Sequence, residues 1–167
     1  MQYGRSEAKK AISNVLDGVL KNYKYTSLPE LNSVLQDYNV LADRGSENSR
    51  VYKTQGLTYR ILDEQGNKVG VPIKASDFYN KPTLTFLQER FTLNEAARLP
   101  FRGRIKNAID LTLIRQPNLS PKNLLKALEK QGINAVLRQN TVGIIYGITY
   151  IVLERKLITY SISITCK

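Results

Sequence analysis

Tyrosine is over-represented in this chain, with ten copies among 167 residues, and its phenol can act as a nucleophile. A tyrosine that attacks phosphate also requires a metal ion or a cluster of basic groups to stabilise the pentavalent transition state. By position the candidates are Tyr59 and Tyr150. Each falls in the middle of a predicted strand, so we interpret both as packing residues rather than nucleophiles.

Other catalytic groups are scarce. Histidine is absent, which excludes imidazole acid-base chemistry, Ser-His and Cys-His pairs, and imidazole metal ligands. The single cysteine, Cys166, can form no disulfide within the chain, and a structural zinc site is excluded as well. Asp63 and Glu64 are adjacent, but they precede a turn and indicate a solvated hairpin end. Because no phosphate-loop, dinucleotide or zinc-protease motif is present, we expect no enzymatic activity, no metal and no cofactor.

The net charge is the strongest functional signal in the sequence. The chain has 25 Lys and Arg against 14 Asp and Glu, a formal net charge of +11 and an isoelectric point near 9.8. Such an excess favours a polyanionic partner, most often nucleic acid and less often an anionic membrane or an acidic protein. A charge kept only for solubility or assembly is the remaining alternative.

The segment RLPFRGRIK surrounds the aromatic residue Phe101 with four cations, Arg98, Arg102, Arg104 and Lys106. Pro100 and Gly103 predict a kink or a break in this region. Arginines around a bent segment can follow a phosphate backbone, and an exposed Phe101 could stack on a base. The alternative is an amphipathic helix pair in which Phe101 belongs to the core and the arginines are solvated.

Two further basic groups are candidate phosphate contacts. The loop ADRGSENSRVYK, ahead of a predicted strand, contains Arg44, Arg50 and Lys53. Along one face of a later helix, cations recur every four residues at Lys122, Lys126 and Lys130. This spacing makes a continuous positive stripe, although a solvated helix face is the commoner meaning of such a pattern.

Apolar spacing predicts the helices that carry these groups. The first helix covers about residues 6–23, and Pro100 and Gly103 should separate two later helices. The predicted N-terminal caps are Ser27 with Glu30, Asn80, Thr92 with Glu95, and Ser120. Gly132 is expected to end the last helix.

Alternating apolar residues predict β-structure in two regions. Val51 and Tyr52 are expected to begin a short strand, and a hairpin follows around the turn Gly66-Asn67. Pro72 places the returning strand at an edge of its sheet. At the end of the chain, GIIYGITYIVL and KLITYSISIT are typical of strands, and an exposed apolar edge there would invite self-association.

The two halves of the chain echo each other. GLTY at residues 56–59 is similar to GITY at residues 147–150, and each segment begins a predicted hairpin. Either one unit has been duplicated, or a common order of helix and hairpin recurs by chance. We predict an α+β fold with two helix-plus-β-hairpin units joined by a helical linker. The predicted boundaries are residues 1–76, 77–118 for the linker, and 119–167, with one compact domain as the alternative.

Several longer blocks resemble a known family. YKYTSLPELNSVLQDYNVLADRG, GLTYRILDEQGNKVGVPIKAS, KPTLTFLQERF and YGITY resemble the region downstream of the nuclease domain in the relaxase/mobilisation nuclease family of bacterial mobile elements. The resemblance covers roughly residues 3–150 and implies a place in the nicking and transfer of one DNA strand at an origin of transfer. The family's tyrosine nucleophile and histidine-held metal belong to an N-terminal domain without a match here, so no catalytic residue is carried over. After Tyr150 the chain departs from the family pattern.

These observations together predict a non-catalytic accessory region of a mobilisation relaxase in the cytoplasm. We expect it to bind DNA, single-stranded or as an origin hairpin, mainly through phosphates. The alternative is a protein-interaction module that docks a relaxase to an auxiliary or coupling protein. No apolar run approaches the roughly 20 residues of a membrane span, and no signal peptide is recognisable. Contacts with other mobilisation proteins and self-association through the C-terminal strand are further expectations.

Overall fold

The computed structural model describes residues 5–153 and 159–164, and its mixture of helices and small antiparallel sheets confirms the predicted α+β class. The helices are α1 (Arg5–Asn22), α2 (Leu28–Leu35), α3 (Arg50–Lys53), α4 (Leu84–Arg115) and α5 (Pro121–Glu129). The strands are β1 (Tyr23–Lys24), β2 (Val40–Asp43), β3 (Thr58–Leu62), β4 (Lys68–Lys74), β5 (Ile133–Gln139), β6 (Ile145–Leu153) and β7 (Thr159–Ile164). Cys166 lies outside the described residues.

The chain divides into two compact units. The first unit contains residues 1–21 and 27–92, and the second unit contains residues 22–26 and 93–167. The first unit holds the sheet β2-β3-β4, and the second holds the sheet β1-β7-β6-β5. Residues 77–118, the predicted linker, contain α4, which contributes residues to both units.

The helices of the first unit follow the predicted spacing. On α1, the buried residues Ile12, Leu16 and Val19 recur at intervals of four and three, which places them on one face. The hydroxyl of Ser27 accepts a hydrogen bond from the amide of Glu30 at 3.3 Å, so the predicted cap of α2 is confirmed.

After α2, local backbone geometry directs the chain into the sheet. Asn39 has a φ of 57°, a left-handed conformation that asparagine adopts more readily than most residues. The side chain of Asn32 then holds β2 in place, because its Nδ2 donates to the carbonyl oxygen of Ala42 at 2.9 Å while its Oδ1 accepts from the Ala42 amide at 2.8 Å. One α2 side chain therefore satisfies both backbone groups of a strand residue.

The sheet of the first unit contains the predicted hairpin. β3 is the central strand and pairs antiparallel with β2 and with β4. The register of the β3–β4 pairing shifts between Tyr59 and Ile61 of β3. β4 is an outer strand, which confirms the edge position that Pro72 predicted.

The predicted strand at Val51 and Tyr52 is wrong, because these residues belong to the short helix α3. The hydroxyl of Ser49 accepts a hydrogen bond from the Tyr52 amide at 3.2 Å and caps this turn. A serine three residues ahead of an amide is a local signal for helix, and it outweighs the β preference of valine and tyrosine.

Tyr59 lies in the interior of the first unit with no exposed surface. Its hydroxyl donates to the carbonyl oxygen of Pro82 at 2.8 Å, and its ring meets Phe78 edge to face with the centroids 5.5 Å apart. A buried phenol held in this way is a packing residue, in agreement with our interpretation of the sequence.

Neither of the two N-terminal caps predicted for this region, Asn80 and Thr92, caps helix α4. Its N-terminal cap is Thr83, whose hydroxyl accepts from the Phe86 amide at 3.5 Å, whereas Asn80 donates to the Asp17 carboxylate. Thr92 is not a cap either, since it lies within the helix and its hydroxyl donates to the Gln88 carbonyl at 3.3 Å.

The predicted break at Pro100 and Gly103 is also wrong, because α4 runs without interruption from Leu84 to Arg115. A proline inside a helix costs about 3 kcal/mol, through one lost hydrogen bond and a clash with the preceding turn. Buried side chains on either side of it, Asn94 and Ile105, anchor the helix in the second unit. The Nδ2 of Asn94 donates to the carbonyl oxygen of Tyr25 at 2.8 Å.

The second unit repeats the plan of the first. The hydroxyl of Ser120 accepts from the Asn123 amide at 3.4 Å and caps α5, and Gly132, with a φ of 77°, follows its end. Strands β5, β6 and β7 form an antiparallel meander, and β1 pairs with β7 in parallel. The core cluster contains Ile105, Ala108, Leu128, Ile133, Tyr150 and Val152.

The C-terminal strand β7 has a neighbour on each side in the sheet order. It pairs with β6 along its length, and Tyr23 and Lys24 of β1 pair with Thr159 and Tyr160. The predicted exposed edge is therefore covered at its beginning. Beyond Tyr160, self-association through this edge stays a prediction.

The similarity between the two halves extends to the register of strand pairing in their sheets. Tyr59 pairs with Ala42 on the preceding strand, and Tyr150 pairs with Ala135 on its preceding strand. Both tyrosines lie on the central strand of a meander that follows a short helix. Shared order, topology and register favour duplication over chance recurrence.

A constant sequence offset supports the same conclusion. Asn39 and Gly132, the left-handed residues between the short helix and the first strand, are 93 positions apart. Identical residues at this offset include Ile12 and Ile105, Asn14 and Asn107, Asp17 and Asp110, Leu20 and Leu113, Ser27 and Ser120, Leu31 and Leu124, Leu35 and Leu128, and Ala42 and Ala135. Helix α1 therefore corresponds to the C-terminal part of α4.

Candidate nucleic-acid interface

The positive charge is concentrated in the second unit. The first unit has twelve Lys and Arg against ten Asp and Glu, whereas the second has thirteen against four. Nine of the eleven net charges therefore belong to the second unit, although the two units share one plan. The field that attracts a polyanion originates mainly from that unit.

Helix α4 aligns three of the four predicted cations. Arg98, Arg102 and Lys106 are spaced four residues apart, and such positions differ by about 40° around a helix axis. Arg102 and Lys106 are exposed and Arg98 is half-buried, so the three form a row beside the buried face. We call this row the α4 stripe.

Arg104 does not join the α4 stripe. It follows Arg102 by two residues, about 200° around the helix, and it flanks the core on the other side. The sequence alone suggested one group of four cations around Phe101. Helical geometry instead separates Arg104 from the other three.

Phe101 is half-buried and packs against the core cluster of the second unit. Its position matches the alternative reading of the sequence, in which this ring belongs to the core. Base stacking requires an exposed ring face, so we leave Phe101 out of the proposed interface.

Helix α5 presents the second predicted stripe. Lys122 and Lys126 are exposed on the helix, and Lys130, also exposed, follows its last residue. Leu128, on the same helix, is completely buried in the core cluster. One side of the helix is therefore buried in the core, and the three lysines face solvent. We call these lysines the α5 stripe.

The predicted basic loop of the first unit is partly folded around Tyr52. The guanidinium carbon of Arg44 lies 4.3 Å from the centroid of the Tyr52 ring, a cation–π contact. Arg44 is half-buried, whereas Arg50 and Lys53 are exposed on α3. Of the three predicted cations, the structure leaves two fully accessible to a ligand.

The carboxylate of Asp43, which precedes Arg44 in the sequence, neutralises part of this surface. The Nζ of Lys68 donates to Oδ2 of Asp43 at 2.6 Å, and Nε of Arg60 lies 3.7 Å from the same oxygen. Burial raises the pKa of Asp43, but hydrogen bonds from Lys68 and the Gly45 amide, with the charges of Lys68 and Arg60, outweigh it and lower the pKa. Asp43 thus makes the first unit a weaker anion site.

Sequence reasoning also missed Arg138. Its guanidinium lies across Gly147 on the paired strand, where a Cβ atom would be 2.8 Å from the Nη2 of Arg138. The glycine of the GITY segment therefore provides room for an arginine. Only the pairing of the two strands reveals this, because Arg138 and Gly147 are nine positions apart in the sequence.

The two tyrosines that the sequence offered as candidate nucleophiles are both buried. Tyr150, like Tyr59, is buried, with 5% of its surface exposed. Within residues 5–153 and 159–164, no three His, Cys, Asp or Glu side chains are grouped so that they could hold a metal ion.

An open cleft of about 620 Å³ in the first unit is lined by Ser6, Lys9, Ile73 and Asp77. In the part of the chain that the structure describes, no helix combines the length and apolar character of a membrane span.

No protein-family model, curated protein or solved structure matches the chain.

Proposed function

We propose that this chain binds DNA without catalysing a reaction on it, as an accessory region of a mobilisation relaxase near the origin of transfer. The observation that carries the proposal is the net charge of the second unit, which places nine of eleven charges on one of two similar units. A structural role alone would not require such an imbalance between units of one plan. The family resemblance described above supports the mobilisation context.

The two stripes suit a phosphate backbone. Residues four apart on a helix advance by about 6 Å along the axis, and one DNA strand carries a phosphate every 3.4 Å or so of its axis. Successive cations of the α4 stripe or the α5 stripe thus advance by the length of about two phosphates. Such contacts fix position and affinity and carry no base sequence information.

Fluorescence anisotropy with labelled single-stranded, duplex and hairpin DNA across a salt series tests this proposal. We expect submicromolar binding at low salt that weakens steeply as salt rises, because bound cations release counterions. A variant of the α5 stripe, with Lys122, Lys126 and Lys130 changed to Ala, should bind at least about tenfold more weakly at low salt. If none of the three DNAs binds at low salt, the proposal is wrong.

A protein-interaction module is the second candidate function, in which the chain docks a relaxase to an auxiliary or coupling protein. It is favoured by large apolar side chains on α4 that are exposed to between 52% and 74%, namely Leu93, Leu99, Leu111 and Ile114. Exposed apolar side chains in such number often mark a protein contact. This candidate predicts little DNA affinity at moderate salt, so the same salt series separates the two functions.

A further inference from the structure

The tip of the β5–β6 hairpin exposes two aliphatic side chains. Val142 is 80% exposed and Ile144 is 63% exposed. The turn beneath them is well ordered, because Oδ1 of Asn140 accepts from the amides of Val142 at 3.1 Å and Ile144 at 2.8 Å. The Gly143 amide donates to the Asn140 carbonyl at 2.9 Å, and Gly143 has a φ of 83°.

A turn of the same local type joins β3 and β4 of the first unit, although β3 corresponds to β6 rather than to β5 in the plan of the two units. There Oδ1 of Asp63 accepts from the amides of Gln65 at 3.0 Å and Asn67 at 2.8 Å. The Gly66 amide donates to the Asp63 carbonyl at 3.0 Å, and Gly66 has a φ of 82°. The two turns therefore share the pattern of hydrogen bonds from backbone amides and the left-handed glycine, with Asn140 and Asp63 as the capping residues.

The two turns differ in what they present to solvent. At the positions of Val142 and Ile144, the first unit carries Gln65 and Asn67. The turn geometry is satisfied by polar residues, so it does not require the aliphatic ones. Val142 and Ile144 contribute little to the fold at such exposure, and a role outside folding accounts better for them.

The hairpin is shaped to enter a groove of a duplex. Among the described residues, β7 pairs with β6 only from Ile148 onward, so residues 138–147, two strand pairs and the turn between them, form a short ribbon without a third strand. DNA-binding proteins place β-strands in the major or the minor groove, and apolar wedges are inserted from the minor groove. From Ile133 to Leu153 the hairpin contains no Asp or Glu, and Arg138 lies at the base of its ribbon. Nothing on this segment would repel phosphate.

We propose that Val142 and Ile144 form an apolar wedge that inserts between neighbouring base pairs of duplex DNA bound by the second unit. The inference rests on the proposed function, because the surrounding charge must first hold the duplex. Proteins that deform DNA use isoleucine and similar apolar side chains in this way, unstacking a base step and kinking the helix. The charge of the second unit favours a nucleic acid over a protein as the occupant.

A plasmid-relaxation assay tests the wedge without knowledge of a target sequence. Closed circular plasmid is relaxed by a topoisomerase in the presence of the protein, and its supercoiling is measured after the protein is removed. Insertion unwinds the duplex, so we expect the wild-type chain to leave negative supercoils. The variant Val142→Gln with Ile144→Asn installs the side chains of the first unit's turn and should fold normally. It should bind linear duplex within about threefold of wild type, because the phosphate contacts remain, but leave no supercoils.

A conservative variant serves as the matched control. Val142→Leu with Ile144→Leu keeps the aliphatic tip and should unwind the plasmid as the wild-type chain does. If the wild-type chain binds duplex but leaves the plasmid relaxed, the wedge is wrong while DNA binding stands. If the polar variant instead breaks a dimer seen by sedimentation velocity, the tip contacts protein and the wedge is also wrong. Failure of the wild-type chain to bind any duplex would remove both proposals.

Discussion

The side-chain oxygen of Asn140 accepts a hydrogen bond from the backbone amide of Ile144 at 2.8 Å, and the β3–β4 turn has the same type of bond, from the Asn67 amide to Asp63 at 2.8 Å. The two caps differ in charge. Hydrogen bonds from the side chain and the amide of Asn67 lower the pKa of Asp63, so that cap is anionic at neutral pH. In the β5–β6 turn the capping side chain is a neutral amide, which leaves this tip free of negative charge.

Different substitutions of the capping residue Asn140 should affect folding stability and duplex DNA binding separately. We expect Asn140→Ala to lower the free energy of unfolding by about 1 kcal/mol, because two backbone amides lose their acceptor. Asn140→Asp should retain stability at pH 7, as the aspartate of the first unit's turn does, yet weaken duplex binding through repulsion of phosphate. Urea denaturation and anisotropy measure the two effects. Equal DNA affinity of Asn140→Asp and wild type would show that the tip stays away from the phosphates.

The ion pair of Asp43 and Lys68 makes a pH-dependent contribution to stability. Because folding lowers the pKa of Asp43, its contribution is present above the carboxyl's unfolded pKa and is lost as pH falls through the folded value. We expect Lys68→Met to reduce the free energy of unfolding by about 0.5–1 kcal/mol at pH 7 and by less at about pH 2, where protonation of Asp43 weakens the pair. Urea titrations at the two pH values measure this.

Lys74, an exposed lysine on the same strand, provides the control for that experiment. At pH 7, Lys74→Met should change the free energy of unfolding by less than Lys68→Met does. A loss from Lys68→Met that is equal at both pH values would contradict an ionic contribution and indicate lost packing of the lysine stem instead.

The two matching glycines should differ in their tolerance of a side chain. A Cβ at Gly147 would meet the far end of the Arg138 side chain, which can shift more readily than backbone, so Gly147→Ala should cost no more than about 1 kcal/mol. A Cβ at Gly56 would lie 3.1 Å from the Val51 carbonyl oxygen, which accepts the Gly56 amide at 2.7 Å. Gly56→Ala should therefore cost about 1–2 kcal/mol. Thermal denaturation that ranks the two variants in the opposite order would refute this account of the motif.

Pro100 lies exposed inside a continuous helix, so its removal should stabilise the protein. Pro100→Ala restores a backbone amide donor and relieves the clash with the preceding turn, while the unfolded chain becomes less restricted. We expect a net gain of about 1–2 kcal/mol in the free energy of unfolding. A loss of stability in urea denaturation would mean that α4 depends on the proline for a bend.

Local signals in the sequence predicted much of the fold. Ser27 and Ser120 were recognisable as caps because capping depends on residues three positions apart. Pro72 predicted an edge strand for the equally local reason that it lacks an amide donor. The failures at Val51 and at Pro100 arose where tertiary packing or a neighbouring cap outweighed intrinsic preference.

The candidate site was predictable only in part. The spacing of Arg98, Arg102 and Lys106 was visible in the sequence, since helical periodicity sets it. The exclusion of Arg104 required knowledge that α4 is continuous. The salt bridge between Asp43 and Lys68 joins residues on different strands, and the concentration of charge becomes apparent only when the boundary between the units is known.

The salt dependence of duplex binding tests the central claim most directly. For B-DNA, the slope of log affinity against log salt falls by about 0.9 for each phosphate contact. Changing the α4 stripe, Arg98, Arg102 and Lys106, to Ala should therefore reduce the slope by about two to three. The control changes three exposed lysines of the first unit, Lys10, Lys21 and Lys74, to Ala, so that the same charge is removed. We predict a nearly unchanged slope for the control. Equal slope changes in the two variants would show that binding follows total charge, and would contradict a DNA site in the second unit.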